Sequence, residues 1–180
     1  MVFLPPFFFV WEAQLSDQDV VEILKNISLK AINQENLELY QFEYFPSKKL
    51  LRLFIINPKT KSATMDNCVQ VDRAMTPLME ESVLIPDSII LEVSSPGMYR
   101  EISTEQHFQW AVGERIKLQL KSGHGLMNGK GKEVNEVLGK LENCKKVNGD
   151  LMLTVLMELE QKIVEFSFTH VRKAKVEPKI

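Results

Sequence analysis

The chain has 180 residues, of which 44% are hydrophobic and 26% are charged, a composition typical of an ordinary soluble protein with one sizeable domain or two small ones. The formal net charge is −2, but residues 1–110 carry nine basic against 15 acidic side chains, whereas residues 111–180 carry 13 against nine. An acidic N-terminal part and a basic C-terminal part indicate two surfaces with different partners. The alternative is that this uneven distribution of charge arose by chance.

The first eleven residues, MVFLPPFFFVW, are strongly apolar. This run is too short to span a bilayer, which takes about 20 residues. It also lacks the basic start and the small-residue cleavage site of a signal peptide. We therefore treat residues 1–15 as an apolar N-terminal extension, with a packed leader strand, an exposed arm and an early start codon as open alternatives. Membrane association through residues 1–11 is a competing hypothesis.

A helix, two strands, a second helix and a third strand are predicted next. Ser16 and Asp19 form a pattern typical of a capping box, and apolar residues then recur at helical spacing. A hairpin follows, with its turn at 46–49 and an apolar return strand at 50–56. The second helix begins near 62–66, and Thr76-Pro77 should end or kink it because proline cannot donate a backbone hydrogen bond.

The stretch Ile89–Arg100, IILEVSSPGMYR, is the most informative part of the chain. Its alternation predicts a strand that ends in a turn, in which Pro96 presets φ and Gly97 accepts a positive φ. Ser94 and Ser95 either bond the backbone around this turn or form part of a binding corner. Glu92 is expected to pair with Arg100, which either ties the turn back or reaches a partner.

The remaining sequence predicts a short helix and then β structure. Thr104 caps the helix, which carries Phe108 and Trp110, and Gly113 ends it. The next strand has one apolar face and one basic face, because its apolar residues alternate with Arg115, Lys117, Gln119 and Lys121. Further short strands are predicted at 137–141, 151–157 and 163–168, a pattern typical of a small barrel.

Leu91 through Gly97, followed by Arg100, closely resemble the signature of the RimP family of ribosome maturation factors. The usual form of that signature is Tyr-x-Leu-Glu-Val-Ser-Ser-Pro-Gly-Leu-Asp-Arg-Pro-Leu. This chain departs from it by having Ile89 for Tyr, Met98 for Leu, Tyr99 for Asp and Glu101 for Pro.

Two other stretches extend this resemblance. Residues 66–73 are similar to the family's Asp-Asp-Cys-x-x-Val-Ser-Arg, with Asn67 and Asp72 as departures. The closing VRKAKVEP is similar to Ile-x-Lys-Ala-x-Leu-x-Pro. The resemblance therefore covers the chain from about Leu24 to its end.

No pattern indicates catalysis or a bound metal. The glycine-rich residues 123–132 do not fit a phosphate-binding loop, and a hairpin tip is the better interpretation. No histidine is tied to Ser94 or Ser95 as in a hydrolase. Cys68 and Cys144 have no metal-ligand spacing, and we expect reduced thiols. We therefore predict no enzyme, no metal and no cofactor.

Basic side chains of the second half are the candidates for contact with RNA phosphates. Their alternative is a solvated surface balanced by nearby glutamates. The candidates are Lys117, Lys121, Lys130, Lys132, Lys140, Lys145, Lys146, Arg172 and Lys173. Glu92, Ser94, Ser95 and Arg100 complete the predicted binding set, and Pro96 and Gly97 are predicted to shape the turn.

The predicted fold is α+β, with an αββαβ domain at 16–103, a connecting helix at 104–113 and a barrel at 114–180. The resemblance implies that this barrel is Sm-like and SH3-type. It also implies a non-enzymatic assembly factor that binds the free small ribosomal subunit and promotes its late maturation. The implied partners are rRNA and a basic ribosomal protein near the decoding centre, with no small-molecule substrate. We expect a cytoplasmic monomer, and a general RNA-binding Sm-like regulatory module is the alternative.

Overall fold

The computed structural model describes residues 16–82, 85, 89–123, 125–127 and 131–179. The apolar extension predicted at 1–15 lies outside the described residues, and so does Lys130. Within the described ranges, none of the helices has both the length and the apolar character needed to cross a membrane.

The N-terminal unit contains two helices and a three-stranded sheet. Its elements are α1 (Asp17–Gln34), β1 (Glu38–Phe45), β2 (Leu50–Ile56), α2 (Met65–Glu80) and β3 (Ile90–Ser94). The sheet order is β1-β2-β3, with β1 antiparallel and β3 parallel to the central β2. This element order is the αββαβ order that the sequence predicted.

Local sequence signals account for these elements. The Ser16 hydroxyl accepts a hydrogen bond from the Asp19 N–H at 3.3 Å, and the Asp19 carboxylate accepts one from the Ser16 N–H at 2.9 Å, which completes the predicted capping box. These bonds to Ser16 lower the pKa of Asp19. One apolar face of each helix packs on the sheet, so that Leu24, Leu53 and Val71 are fully buried together.

Pro77 lies inside α2. The helix continues to Glu80, and the Glu81 N–H donates to the Pro77 carbonyl at 3.0 Å. The first alternative, that Thr76-Pro77 ends the helix, is therefore wrong, and the second, that it kinks the helix, stays a prediction. Proline removes only one helical hydrogen bond, and Met75 and Leu78 on either side contribute to the core and hold the last turn in place.

The C-terminal unit contains one short helix and a five-stranded antiparallel sheet. Its elements are α3 (Glu105–Ala111), β4 (Arg115–Leu120), β5 (Glu136–Val147), β6 (Asp150–Met157), β7 (Ile163–Ser167) and β8 (Val171–Val176). The strand order is β7-β6-β5-β4-β8. The inward residues of all five strands share one core with Phe108 of α3.

The outer edge of β8 is bonded to the segment that leads into α3. Ile102 N–H donates to the Ala174 carbonyl at 2.9 Å, and Val176 N–H donates to the Arg100 carbonyl at 3.0 Å. A ladder between β7 and β8 is not found among the described strands. The mixed α+β class is confirmed, whereas a closed barrel is not.

The sequence predicted the second sheet incompletely. β5 extends to Val147, six residues beyond the predicted end. The prediction stopped too early because the second half of the strand is polar and its pairing with β6 has an irregularity between Leu141 and Asn143. β8 was not predicted as a strand, because its buried residues Val171, Ala174 and Val176 do not alternate strictly, and its pairing with β4 has an irregularity between Gln119 and Leu120.

The two units meet at an aromatic junction between β1 and α3. Tyr40 stacks on His107 with a centroid distance of 3.9 Å, and Trp110 packs beside both rings. The Nε2 atom of His107 lies 2.8 Å from the Tyr40 carbonyl, so Nε2 carries the proton. The Tyr40 hydroxyl in turn donates to the Glu101 carbonyl. The junction therefore fixes the segment that follows residues 95–99, which we call the signature turn.

Candidate nucleic-acid interface

The outward faces of β4 and β8 bring five cationic side chains together. Cross-strand pairing places Lys117 opposite Lys175 and Gln119 opposite Lys173. We call this surface the basic groove. It comprises a depression of about 350 Å³ and an adjoining one of about 380 Å³ that share Gln119 and Arg172. The cations that line it are Lys117, Lys121, Arg172, Lys173 and Lys175.

Two of the five cations have carboxylate partners. Lys117 pairs with Glu136 at 2.9 Å, and this hydrogen bond raises the pKa of Lys117. Lys175 pairs with Glu177 at 2.6 Å, and this bond lowers the pKa of Glu177.

The other three cations contact only neutral groups or none. Lys121 donates to the Thr169 carbonyl at 2.7 Å, and Arg172 donates to the Gln119 side-chain oxygen at 3.1 Å. Lys173 has no carboxylate within ion-pair distance in the part of the chain that the structure describes, and the same holds for Lys121 and Arg172. The groove therefore keeps a positive charge that an anionic ligand can neutralise.

The signature turn adjoins this groove. Met98 and Tyr99 are 67% and 43% exposed. The Lys175 ammonium lies 5.8 Å from the centroid of the Tyr99 ring, within cation–π distance. An exposed aromatic ring thus stands at the groove wall formed by Lys175.

The signature turn has the positive φ at Gly97 that the sequence predicted. Gly97 takes a φ of +79°, and its N–H donates to the Ser95 hydroxyl at 3.3 Å. The Ser94 hydroxyl donates to the Ser95 carbonyl at 3.3 Å. Both serines thus form hydrogen bonds with the backbone around the turn, the first of the two alternatives that the sequence left open. Their role in binding a partner stays a prediction.

Glu92 and Arg100, the charged residues on either side of the signature turn, do not pair with each other as expected. Glu92 pairs with Arg52 of β2 at 2.7 Å, because the parallel register places these two residues side by side. The expected Glu92–Arg100 pair is therefore wrong. Arg100 is only 5% exposed and pairs with Glu114, the residue directly before β4. This geometry fits the role of tying the turn back, and a direct contact of Arg100 with a partner stays a prediction.

The other predicted cations lie apart from the groove. Lys140 pairs with Glu142 at 3.0 Å, and Lys146 pairs with Glu105 of α3 at 2.9 Å. Lys145 is exposed at the far end of β5, and Lys132 is exposed in the connection between β4 and β5. The structure therefore gathers four of the nine predicted cations, namely Lys117, Lys121, Arg172 and Lys173.

A scan against protein-family models matches residues 28–99 to the RimP N-terminal domain. The chain carries the N-terminal domain of the RimP family. The matched range covers the last seven residues of α1, all three strands of the first sheet and α2, and it ends at Tyr99 of the signature turn. The resemblance drawn from LEVSSPG is thereby confirmed for this domain, and the RimP family is a family of ribosome maturation factors.

Sequence reasoning missed three residues of the interface in this RimP-domain protein. Lys175 follows Lys173 by two positions, so alternation along VRKAKV could have placed both on one face of a strand. Gln119 was recognised on the outer face of its strand but not as a groove residue. Tyr99 could not be found from the sequence, because its contact with Lys175 joins segments 76 positions apart.

Proposed function

We propose that this RimP-domain protein is a non-enzymatic assembly factor that binds the free small ribosomal subunit in the cytoplasm and promotes its late maturation. The match of residues 28–99 to the RimP N-terminal domain carries this proposal. The uncompensated cations of the basic groove support it, because a surface with excess positive charge suits rRNA phosphates.

The two units divide the partners between them. The groove contacts rRNA, while the acidic N-terminal part, with nine basic and 15 acidic residues in 1–110, contacts a basic ribosomal protein near the decoding centre. We propose further that residues 16–103 form the first domain, 104–113 a connecting helix and 114–180 an Sm-like barrel. The strand order β7-β6-β5-β4-β8 and the single core shared by five strands support the barrel.

Co-sedimentation of the purified protein with free small subunits, free large subunits and assembled ribosomes tests this function. We expect binding to free small subunits alone, weakening as salt is raised from a low to a physiological concentration. Equal binding to all three particles would overturn the proposal and favour the general RNA-binding Sm-like module. That alternative has its own support in the basic groove, whose cations are sequence-independent phosphate contacts.

A further inference from the structure

Tyr99 differs in its surroundings from Phe45, which is also an exposed aromatic residue in the described part of the chain. Phe45 lies at the end of β1 in the first sheet, with Lys48 at 5.8 Å and Arg52 at 6.0 Å from its ring centroid. Arg52 there is neutralised by Glu43 and Glu92. Tyr99 instead adjoins a surface on which Lys121, Arg172 and Lys173 are free of carboxylate partners in the described ranges.

We propose that Tyr99 and the basic groove together form a binding site for an unpaired stretch of RNA. One base stacks on the Tyr99 ring, and the phosphates that follow run along Lys175, Lys173 and Arg172. The inference deepens the proposed function and rests on it, since it names the form of rRNA that the groove takes.

The arrangement of groups favours single-stranded RNA over other polyanions. In a duplex the bases are stacked on one another, so a ring at the groove wall has no free base to contact. An acidic peptide would pair with the lysines but leave Tyr99 without a role. Single-strand sites combine a positively charged path with aromatic stacking, and both are present here. Along β8, Lys175 and Arg172 are about 10 Å apart, a distance that two successive phosphates of a single strand can span.

The geometry also explains how Tyr99 is held for this role. The segment that follows it pairs with β8 through the Ile102 N–H bond to Ala174 and the Val176 N–H bond to Arg100. Arg100 is buried and paired with Glu114, so the residue directly after Tyr99 is anchored. The ring is therefore presented from a fixed backbone, which lowers the entropy lost on binding.

Fluorescence anisotropy with a labelled short oligoadenylate tests the site, using the full chain over a series of salt concentrations. Tyr99→Ala should weaken binding at least about fivefold, whereas Tyr99→Phe should retain it, because the ring supplies the stacking. The matched control Phe45→Ala removes an exposed aromatic that also lies beside two cations, and it should bind like the wild type. The double variant R172Q/K173Q should reduce the slope of log affinity against log salt by about 1.4.

Three results would overturn the site. One is an unchanged affinity in Tyr99→Ala, and another is an equal loss in Phe45→Ala. The third is binding of the matched RNA duplex or of polyglutamate as tight as that of the single strand. If the oligoadenylate fails to bind while free small subunits still do, the site is wrong and the proposed function stands. If the oligoadenylate binds as expected but small subunits do not, the site stands and the proposed function fails.

Discussion

Gly97 holds the signature turn in a conformation that other residues avoid. Its φ is +79°, and a Cβ added there would meet no atom within 4 Å, so the constraint is the backbone and not space. The sequence predicted this, because Pro-Gly after a strand is a strong turn signal. Gly139 is the opposite case. Its added Cβ would lie 2.2 Å from the Leu156 carbonyl oxygen, a close approach of β5 and β6 that no local pattern in the sequence reveals.

Gly97→Val should therefore lower the melting temperature without filling or opening any cavity. A β-branched residue at positive φ costs about 1–3 kcal/mol, which corresponds to a shift of roughly 2–12 °C for a chain of this size. Thermal unfolding followed by circular dichroism measures the shift. Met98→Val is the matched control, since its exposed position in the same turn does not have a positive φ. Equal melting temperatures for the wild type and Gly97→Val would remove the backbone argument.

At the scale of elements, the segment between β3 and α3 joins the two units. Arg100 is 5% exposed and paired with Glu114, and the sequence left open whether it ties the turn back or reaches a partner. Its true partner could not be predicted, because the pair depends on how β4 packs against a segment from the other unit. Local signals did predict the capped α1, the hairpin and the alternating β4, whose patterns lie within each element.

Arg100→Ala should destabilise the fold, because it leaves Glu114 without its cation in a partly buried site. Breaking a fully buried pair costs about 3–5 kcal/mol, and since Glu114 is partly exposed, we expect about 2 kcal/mol here. Urea unfolding gives this value from the shift in midpoint. Arg172→Ala is the control: it removes an arginine side chain from an exposed position and should change the free energy of unfolding little. A loss of the same size in both variants would contradict the role assigned to Arg100.

The junction between β1 and α3 should make stability depend on pH. Burial lowers the pKa of His107 below its ordinary value of 6.5, and the positive charge of Arg100 lowers it further. The Nδ1 atom of His107 accepts a hydrogen bond from the Ser103 N–H at 3.3 Å, so protonation of Nδ1 would break this bond. The unfolded chain therefore takes up the proton first as pH falls. The contribution of neutral His107 to the free energy of unfolding is complete above about pH 6.5 and declines as the pH falls below that value.

Melting temperatures between about pH 5 and 7 test this linkage. The wild type should lose stability on acidification in that window, whereas His107→Gln, which cannot titrate, should show a flatter profile. Carboxylates with lowered pKa, such as Glu177, lose their contribution only at lower pH, below their ordinary value of 4.5. Parallel profiles for the two proteins would show that His107 is not the group responsible.

At the scale of the whole molecule, the candidate interface is assembled from distant parts of the chain. The basic groove combines residues of β4 and β8, about 55 positions apart, and the signature turn lies at its edge. Alternation along β4 predicted that Lys117 and Lys121 face outward, and residue type alone made Arg172 and Lys173 candidates. Neither signal showed which cations lie close together. Four predicted cations converge in the groove while Lys140 and Lys146 pair with nearby glutamates, and that division depends on tertiary structure alone.

The most direct test of the account compares two variants of equal charge in binding to free small ribosomal subunits. R172Q/K173Q removes two cations from the groove, and the control K140Q/K145Q removes two from β5 outside it. Co-sedimentation at physiological salt should show a loss of at least about tenfold in affinity for the groove variant, because two phosphate contacts disappear, and little change for the control. Equal losses in the two variants, or none in either, would contradict the assignment of the groove as the surface that binds the subunit.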